Sequence, residues 1–223
     1  MNQPVNRLAL FDCDGTLVDS AANICAAMEG AFANAALPAP DRHLIRRIVG
    51  LSLTEAMAAL LPGGDPLVHA AMAEDYKRIF ASLRSTGGLQ DEPLFDGVAE
   101  LIGVLEEGGW VLGVATGKSD RGLGFVLDHH QIRHRFVTLQ TADRHPSKPH
   151  PSMIEAAMAE AGAEPATTAM IGDTAYDMAM AVNAGAHAIG VAWGYHDEVE
   201  LREAGARHIA RDAAELAHIL EAL

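Results

Sequence analysis

The apolar positions along the chain fall into two patterns. Leu8-Ala9-Leu10-Phe11, Trp110-Val111-Leu112-Gly113-Val114-Ala115, Phe136-Val137-Thr138-Leu139, Ala169-Met170-Ile171 and Ala188-Ile189-Gly190-Val191 are short, nearly unbroken apolar runs. Such runs predict strands buried on both faces of a parallel sheet. Between them apolar residues recur at helical spacing, most clearly at Val98, Leu101, Ile102 and Leu105. Similar segments cover Ser119 to about His129, the Met153-Ile154-Ala157-Met158 set, the stretch after Asp173 to about Ala184, and positions near Glu198 and Asp212. Strands alternating with helices predict an α/β fold: a doubly wound parallel sheet with helices on both faces.

One stretch departs from this alternation. From Ser20 to about Leu89 helical patterns follow one another with no strand between them. The first runs to about Ala36 and stops before Pro38 and Pro40; the others are Asp41 to Val49, Leu53 to Leu61, and Asp65 to about Leu83. Pro62-Gly63-Gly64 and Gly87-Gly88 are stop signals, and Pro66 suits a first helical position. This predicts an all-helical cap, residues 19–89, inserted in a core made of residues 1–18 and 90–223.

The polar residues of interest fall just after predicted strands, and in such sheets ligands sit beyond the strands' carboxyl ends. Asp12 and Asp14 follow the first strand; two apart on an extended chain, they face the same way, with Cys13 turned elsewhere. Two carboxylates so placed need a cation or a shared proton. Phosphoryl transfer to an aspartate uses both: Asp12 as nucleophile, Asp14 as general acid and then base, and a hard cation such as Mg²⁺ between them. Thr116 and the Gly117 amide follow the second strand at a helix start, a favoured anion position. Lys118 is a weaker candidate, for which a solvent-facing position is a sufficient explanation. Lys148, fixed by the proline after it, would offset the charge of Asp12 and of phosphoryl oxygens. Asp173 and Asp177, one helical turn apart, complete the set.

Composition narrows the class. The chain has 223 residues, 49% hydrophobic and 21% charged, the profile of a soluble globular protein. Its net charge of −14 argues against a nucleic-acid or anionic-membrane surface, and demands local positive charge wherever a phosphate is to bind. No apolar run is long enough to span a bilayer, and no signal peptide is evident. Two cysteines, Cys13 and Cys25, make no disulfide framework and fit a reducing cytoplasm. Cys13, beside two carboxylates, is expected to stay a thiol that packs. Whether the chain is a monomer or a homodimer is not readable from these patterns.

Asp12-Cys13-Asp14-Gly15-Thr16 after an apolar strand, Ala-Thr-Gly-Lys at 115–118, Lys148-Pro149 before a helix and Gly172-Asp173 with Asp177 resemble, in order, the four motifs of the haloacid dehalogenase-like (HAD) hydrolase superfamily. The resemblance covers essentially the whole chain and implies a Rossmann-like core with a helical cap after the first motif. It also implies Mg²⁺ held by Asp12, Asp173 and the Asp14 main-chain carbonyl, with Asp177 directly bound or one shell behind. Asp14 sets the chain apart from the dehalogenase branch, which has no acid there. One departure is Gln140-Thr141-Ala142-Asp143, where many relatives carry a glycine-rich acidic turn.

The Val49-to-Leu53 turn resembles caps of phosphoglycolate phosphatase-like members, which implies a small phosphorylated metabolite as substrate. Arg46 or Arg47, one turn earlier, is the candidate cation for a substrate carboxylate such as that of 2-phosphoglycolate. Pyrophosphatase and sugar phosphomutase activities use the same cap type and stay open. Phosphonate cleavage would need a cap lysine, and Lys77, the only one, is expected to face solvent. A receiver-like phospho-aspartate switch is the alternative of a different class.

Overall fold

The computed structural model describes residues 5–223. Six strands form one all-parallel sheet: β1 (Asn6–Phe11), β2 (Trp110–Thr116), β3 (Thr138–Thr141), β4 (Ala163–Gly172), β5 (His187–Val191) and β6 (His208–Ala210). Their spatial order is β3-β2-β1-β4-β5-β6. The order reverses between β1 and β4, and there a crevice opens at the strands' carboxyl ends. Asp12 leaves β1 at that point and Asp173 follows β4; the Asp12 amide donates to the Ile171 carbonyl at 2.9 Å, so the two strand ends are tied together.

The period-two alternation of β1 divides its side chains between two cores. Ala9 and Phe11 pack with α5 (Val98–Glu107), α6 (Asp120–His129) and α10 (Ala213–Glu221). Leu8 and Leu10 pack on the opposite face with α7 (Ser152–Ala161), α8 (Ala175–Ala184) and α9 (Glu198–Glu203). Every β1 residue from Leu8 to Phe11 is at most 1% exposed, which explains the continuous apolar run.

Between β1 and α5 lie four helices, α1 (Ala21–Asn34), α2 (Arg42–Arg47), α3 (Leu53–Leu60) and α4 (Pro66–Thr86). They enclose an apolar cluster of their own, with Ile24, Met28, Phe32, Ile45, Met57 and Met72 among its members. Helix α4 begins as its sequence requires: the Asp65 side chain accepts from the Leu67 amide and Pro66 takes the first position. It ends at Gly87 with φ +71°, the left-handed stop that favours glycine. The helical unit joins the sheet through two adjacent segments. Asp19 N donates to Pro93 O and Phe95 N to Leu17 O, both at 3.0 Å, and Asn23 bonds the Gln90 backbone in both directions.

Three strand expectations need correction. The third strand lies at Thr138–Thr141, two residues later than its apolar run suggests, because a 3-10 turn at Arg133–Arg135 precedes it and Val137 is 64% exposed. The fourth begins at Ala163, earlier than expected, through a single pairing with Asn6 and a register shift before Thr168. The edge strand β6 was not expected; three residues give no usable period.

Candidate active site

Sheet geometry brings Asp12, Asp14, Thr116, Lys148, Asp173 and Asp177 to one end, and each is buried. Lys148, 1% exposed, is their electrostatic centre. Its ammonium lies 2.9 Å from Asp12 Oδ1 and 2.6 Å from Asp177 Oδ1. Burial alone would lower the Lys148 pKa, but the Asp12 and Asp177 carboxylates outweigh it and hold the group above its ordinary value, firmly charged.

One cation does not balance the cluster. One carboxylate oxygen from each of Asp12, Asp173 and Asp177 lies within 4.8 Å of the others. Burial pushes the Asp12 carboxyl up to about 7, with Lys148 opposing and Asp177 and Asp14 adding to the shift. Asp173 is pushed well above its ordinary range by burial, then by Asp177 and Asp12. Asp12 Oδ2 is buried and has no hydrogen-bond partner among the described residues. Carboxylates in excess of positive charge, with an orphaned oxygen among them, fit a hard divalent cation.

The surroundings of Asp173 are shaped to hold that carboxylate still. Thr16 Oγ1 donates to its Oδ1 and the Tyr195 amide to its Oδ2, each at 2.9 Å. Gly15 (φ +81°) and Gly194 pass so close that a β-carbon on either would lie 2.2 Å or 2.1 Å from Asp173 side-chain atoms. Thr16 and Ser20 thus border the site although motif reading gave them no role; their signal was a hydroxyl within a few residues of a strand end. The Trp193-Gly194-Tyr195 turn, whose place after a strand makes entrance shaping and loop packing equal expectations, lies against Asp173. Asp177 has both oxygens committed, Oδ1 to Lys148 and Oδ2 to the Thr174 amide (3.1 Å) and hydroxyl (2.7 Å), so it orients Lys148 from behind.

Asp14 lies nearer the mouth. Its Oδ1 accepts from Ser20 Oγ and from Lys118 Nζ, the latter at 2.8 Å. Lys118 therefore does not face solvent: its side chain is 11% exposed, and Asp14 leads the charges that hold its pKa up against burial. Thr116, at the end of β2, accepts from the Lys118 amide at 3.2 Å, which leaves its hydroxyl hydrogen for another acceptor. Cys13 is buried, its thiol pushed well above the ordinary range by burial and then Asp14; its amide donates to Asp12 Oδ1 at 2.7 Å. Asp143 accepts from the Asp120 amide at 2.9 Å and sits with α6, outside the carboxylate cluster.

The helical unit closes over these groups. A β-carbon on Gly117 would lie 2.7 Å from the carbonyl oxygens of both Gly50 and Leu51, so the turn after α2 rests directly on Thr116-Gly117. Ser52 N donates to Ser147 Oγ at 2.8 Å. His196 Nδ1 accepts from the Ala175 amide (3.2 Å), so the ring proton is on Nε2, which lies 3.0 Å from the Arg47 carbonyl. Arg47 does not line the cavity: its guanidinium forks onto Glu200 of α9 and ties the helical unit to the core. The pair is partly exposed and worth about 1 kcal/mol or less. Between the helices and Asp14 lies a cavity of about 270 Å³, walled by Ile24, Met28, Leu53, Tyr76 and Phe80.

A buried cluster of carboxylates around a lysine, at the switch point of a doubly wound sheet and beneath a set of helices, points to a class of hydrolase. The family model described as "Haloacid dehalogenase-like hydrolase" matches residues 9–191, and the chain belongs to that family. It is 38% identical over 222 residues (97% of this chain, 94% of the relative) to "Probable phosphatase IndB" of Dickeya dadantii (strain 3937). It is 27% identical to "Phosphoglycolate phosphatase" of Haemophilus influenzae, covering 96% of this chain and 98% of that one. Its fold matches a "predicted phosphatase from Clostridium acetobutylicum" with a TM-score of 0.88 at 25% identity, over 99% of this chain and 100% of that one.

Proposed function

We propose that this protein is a Mg²⁺-dependent phosphatase that hydrolyses a small, carboxylate-bearing phosphomonoester of the 2-phosphoglycolate type through an aspartyl-phosphate on Asp12. The observation that carries the reading is the buried Asp12–Lys148–Asp177–Asp173 cluster, with Asp14 beside it at the floor of an organic-sized cavity.

Asp12, Asp173 and the Asp14 main-chain carbonyl would hold Mg²⁺, which supplies charge neutralisation at the phosphoryl oxygens. Lys148 and the Thr116 hydroxyl, with the Gly117 amide, orient the same oxygens. Asp12 attacks phosphorus and the ester oxygen leaves with its bonding pair. Asp14, held in place by Ser20 and Lys118, gives that oxygen a proton. Asp14 then takes a proton from water, which attacks phosphorus and frees phosphate and Asp12. Residues 19–89 act as a lid on the core of residues 1–18 and 90–223, opening at the paired segments near Asp19 and Pro93 and excluding bulk water when shut. A cytoplasmic setting belongs to the same proposal; among the described residues no helix is long and apolar enough to cross a membrane.

The test is phosphate release from a panel of phosphomonoesters that includes 2-phosphoglycolate, with pyrophosphate alongside. It is run with Mg²⁺, with chelator, and with Asp12→Asn. Mg²⁺-dependent turnover abolished in Asp12→Asn is the expected result. A folded, Mg²⁺-binding protein that turns over no ester overturns the reading, as does activity that survives Asp12→Asn.

A further inference from the structure

The cavity beside Asp14, about 270 Å³, falls just below the ~300–1,000 Å³ range of small-molecule pockets, yet it is larger than a two-carbon leaving group requires. Its walls are the side chains of Ile24 and Met28 from α1 and of Tyr76 and Phe80 from α4. A glycolate carboxylate against those walls would lose its hydration without gaining a partner. The cavity is therefore built for an apolar body.

Its basic residues show where charge belongs. Of the four that line it, two are already neutralised: Lys118 by Asp14 at 2.8 Å and Lys77 by Glu74 at 2.7 Å. Arg84 and Arg121 have no carboxylate partner among the described residues, although acids outnumber Lys and Arg by 30 to 16 in this chain. The Arg84 guanidinium carbon lies over the Phe125 ring, 4.0 Å from its centroid, with Phe80 at 5.6 Å, and the Arg84 Nε is buried with no hydrogen-bond partner among the described residues. Burial and then the Arg121 charge lower its pKa, while the charge of Glu92, which makes no ion pair with it, opposes them. Two arginines without an ion-pair partner thus line one cavity, one of them seated on aromatic rings, a pairing suited to a planar anion.

We infer that the leaving group is an amphipathic carboxylic acid: a ring-sized apolar body seated against α1 and α4, with a distal carboxylate held by Arg84 and Arg121. A carboxylate is favoured over a second phosphate because a monoanion costs less to desolvate beside apolar walls than a dianion. The inference rests on the phosphatase reading above; it keeps the substrate carboxylate and moves its recognition from Arg47 to this pair of arginines.

Three esters separate the elements: the phosphate ester of 4-(hydroxymethyl)benzoate, benzyl phosphate, which lacks the carboxylate, and 2-phosphoglycolate, which lacks the body. With Mg²⁺ the first is expected to exceed each of the others about tenfold or more in kcat/KM, the scale of one charge-assisted hydrogen bond. Arg84→Gln and Arg121→Gln should each bring the ratio of the first ester to benzyl phosphate toward one; damage to the fold would lower both esters and leave their ratio standing. Preference for 2-phosphoglycolate, equal use of benzyl phosphate, or a ratio that survives both substitutions overturns the inference. Absence of any Mg²⁺-dependent turnover overturns the phosphatase reading instead. In that case calorimetry on Asp12→Asn still decides: 4-(hydroxymethyl)benzoate should bind about tenfold or more tighter than benzyl alcohol, with the advantage lost in Arg84→Gln, and equal binding contradicts the inference.

Discussion

Replacing Lys148 by methionine keeps the length of the side chain and removes its charge from between two buried carboxylates. Its ammonium is the partner of both Asp12 Oδ1 and Asp177 Oδ1, and it has no solvent exposure. Removing one member of a buried ion pair costs about 3–5 kcal/mol, because the remaining charge is stranded. The stranded carboxylate can escape by taking a proton. For an ordinary carboxyl group with a pKa near ~4 that escape costs about 5 kcal/mol at pH 7.5 and about 1.5 kcal/mol at pH 5. Protonation thus leaves the penalty intact at pH 7.5 and caps it at pH 5. The sign agrees with linkage: the variant's folded state holds protons its unfolded state releases, so its deficit grows as pH rises. For a chain of this size 1 kcal/mol is about 2–4 °C in Tm. Thermal unfolding in chelator should show a Tm about 6–20 °C below wild type at pH 7.5, and no more than about 6 °C below at pH 5. Saturating Mg²⁺ should recover part of the loss, since it binds only the folded cluster. An unchanged Tm at pH 7.5, or the same decrement at both pH values, would show that Lys148 contributes packing and not charge.

Asp177→Asn should lower kcat about 10–100-fold while the Mg²⁺ concentration for half-maximal activity moves little, since both Asp177 oxygens serve Lys148 and Thr174; a shift of that concentration as large as the fall in kcat would make Asp177 a direct ligand. Gly117→Ala places a β-carbon on the Gly50 and Leu51 carbonyls, both backbone and unable to swing aside. It should hold the lid off the core and cost about 100-fold in kcat/KM with Mg²⁺ affinity preserved, measured by steady-state kinetics and calorimetry. Proton uptake gives a further check. The metal-free Asp12 pKa is about 7, well above its ordinary 3.8, so the ionised form is disfavoured and the metal-free fold loses stability as pH rises from about 4 to 7. Mg²⁺ must displace that proton, so affinity should rise with pH and level off above about 7; calorimetry in buffers of different ionisation enthalpy should find proton release at pH 6 and almost none at pH 8.

The fold was legible because β1, β2, β5 and the second half of β4 are buried on both faces and written as apolar runs. The helical insert was legible because Pro and Gly punctuate it. What sequence reading missed was decided by tertiary neighbours. Lys118 reads as a surface lysine until the sheet brings Asp14 beside it. Arg47 reads as a substrate cation until α9 presents Glu200. Gly194 lies 21 residues beyond Asp173, and only the pairing of β4 with β5 shows that it is the wall against which that carboxylate rests. Motif spacing records what a strand end delivers; it carries no record of which loops lean in from other strands, and those loops fix Asp173, Asp14 and the reach of the cap.

Energetically the molecule separates two tasks. The cluster around Lys148 is deeply buried, and breaking it is predicted to cost a large fraction of ordinary domain stability. The helical unit meets the core at its edge through a few polar contacts, Arg47 with Glu200, Ser52 with Ser147 and His196 with the Arg47 carbonyl, each of modest strength. In the proposed mechanism, substrate entry and product exit would reorganise the helical unit and leave those carboxylates in place.

The most direct test of an aspartyl-phosphate on Asp12 is a rapid-mixing experiment with Asp14→Asn and p-nitrophenyl phosphate in Mg²⁺. Nitrophenolate leaves without a proton, so phosphoryl transfer to Asp12 can proceed, whereas water attack has lost its general base. The expected result is a burst of about one nitrophenolate per protein followed by slow turnover, with one phosphoryl group found on the peptide that contains Asp12. Burst-free hydrolysis at the wild-type rate, or a phosphoryl group on any other residue, would contradict the account.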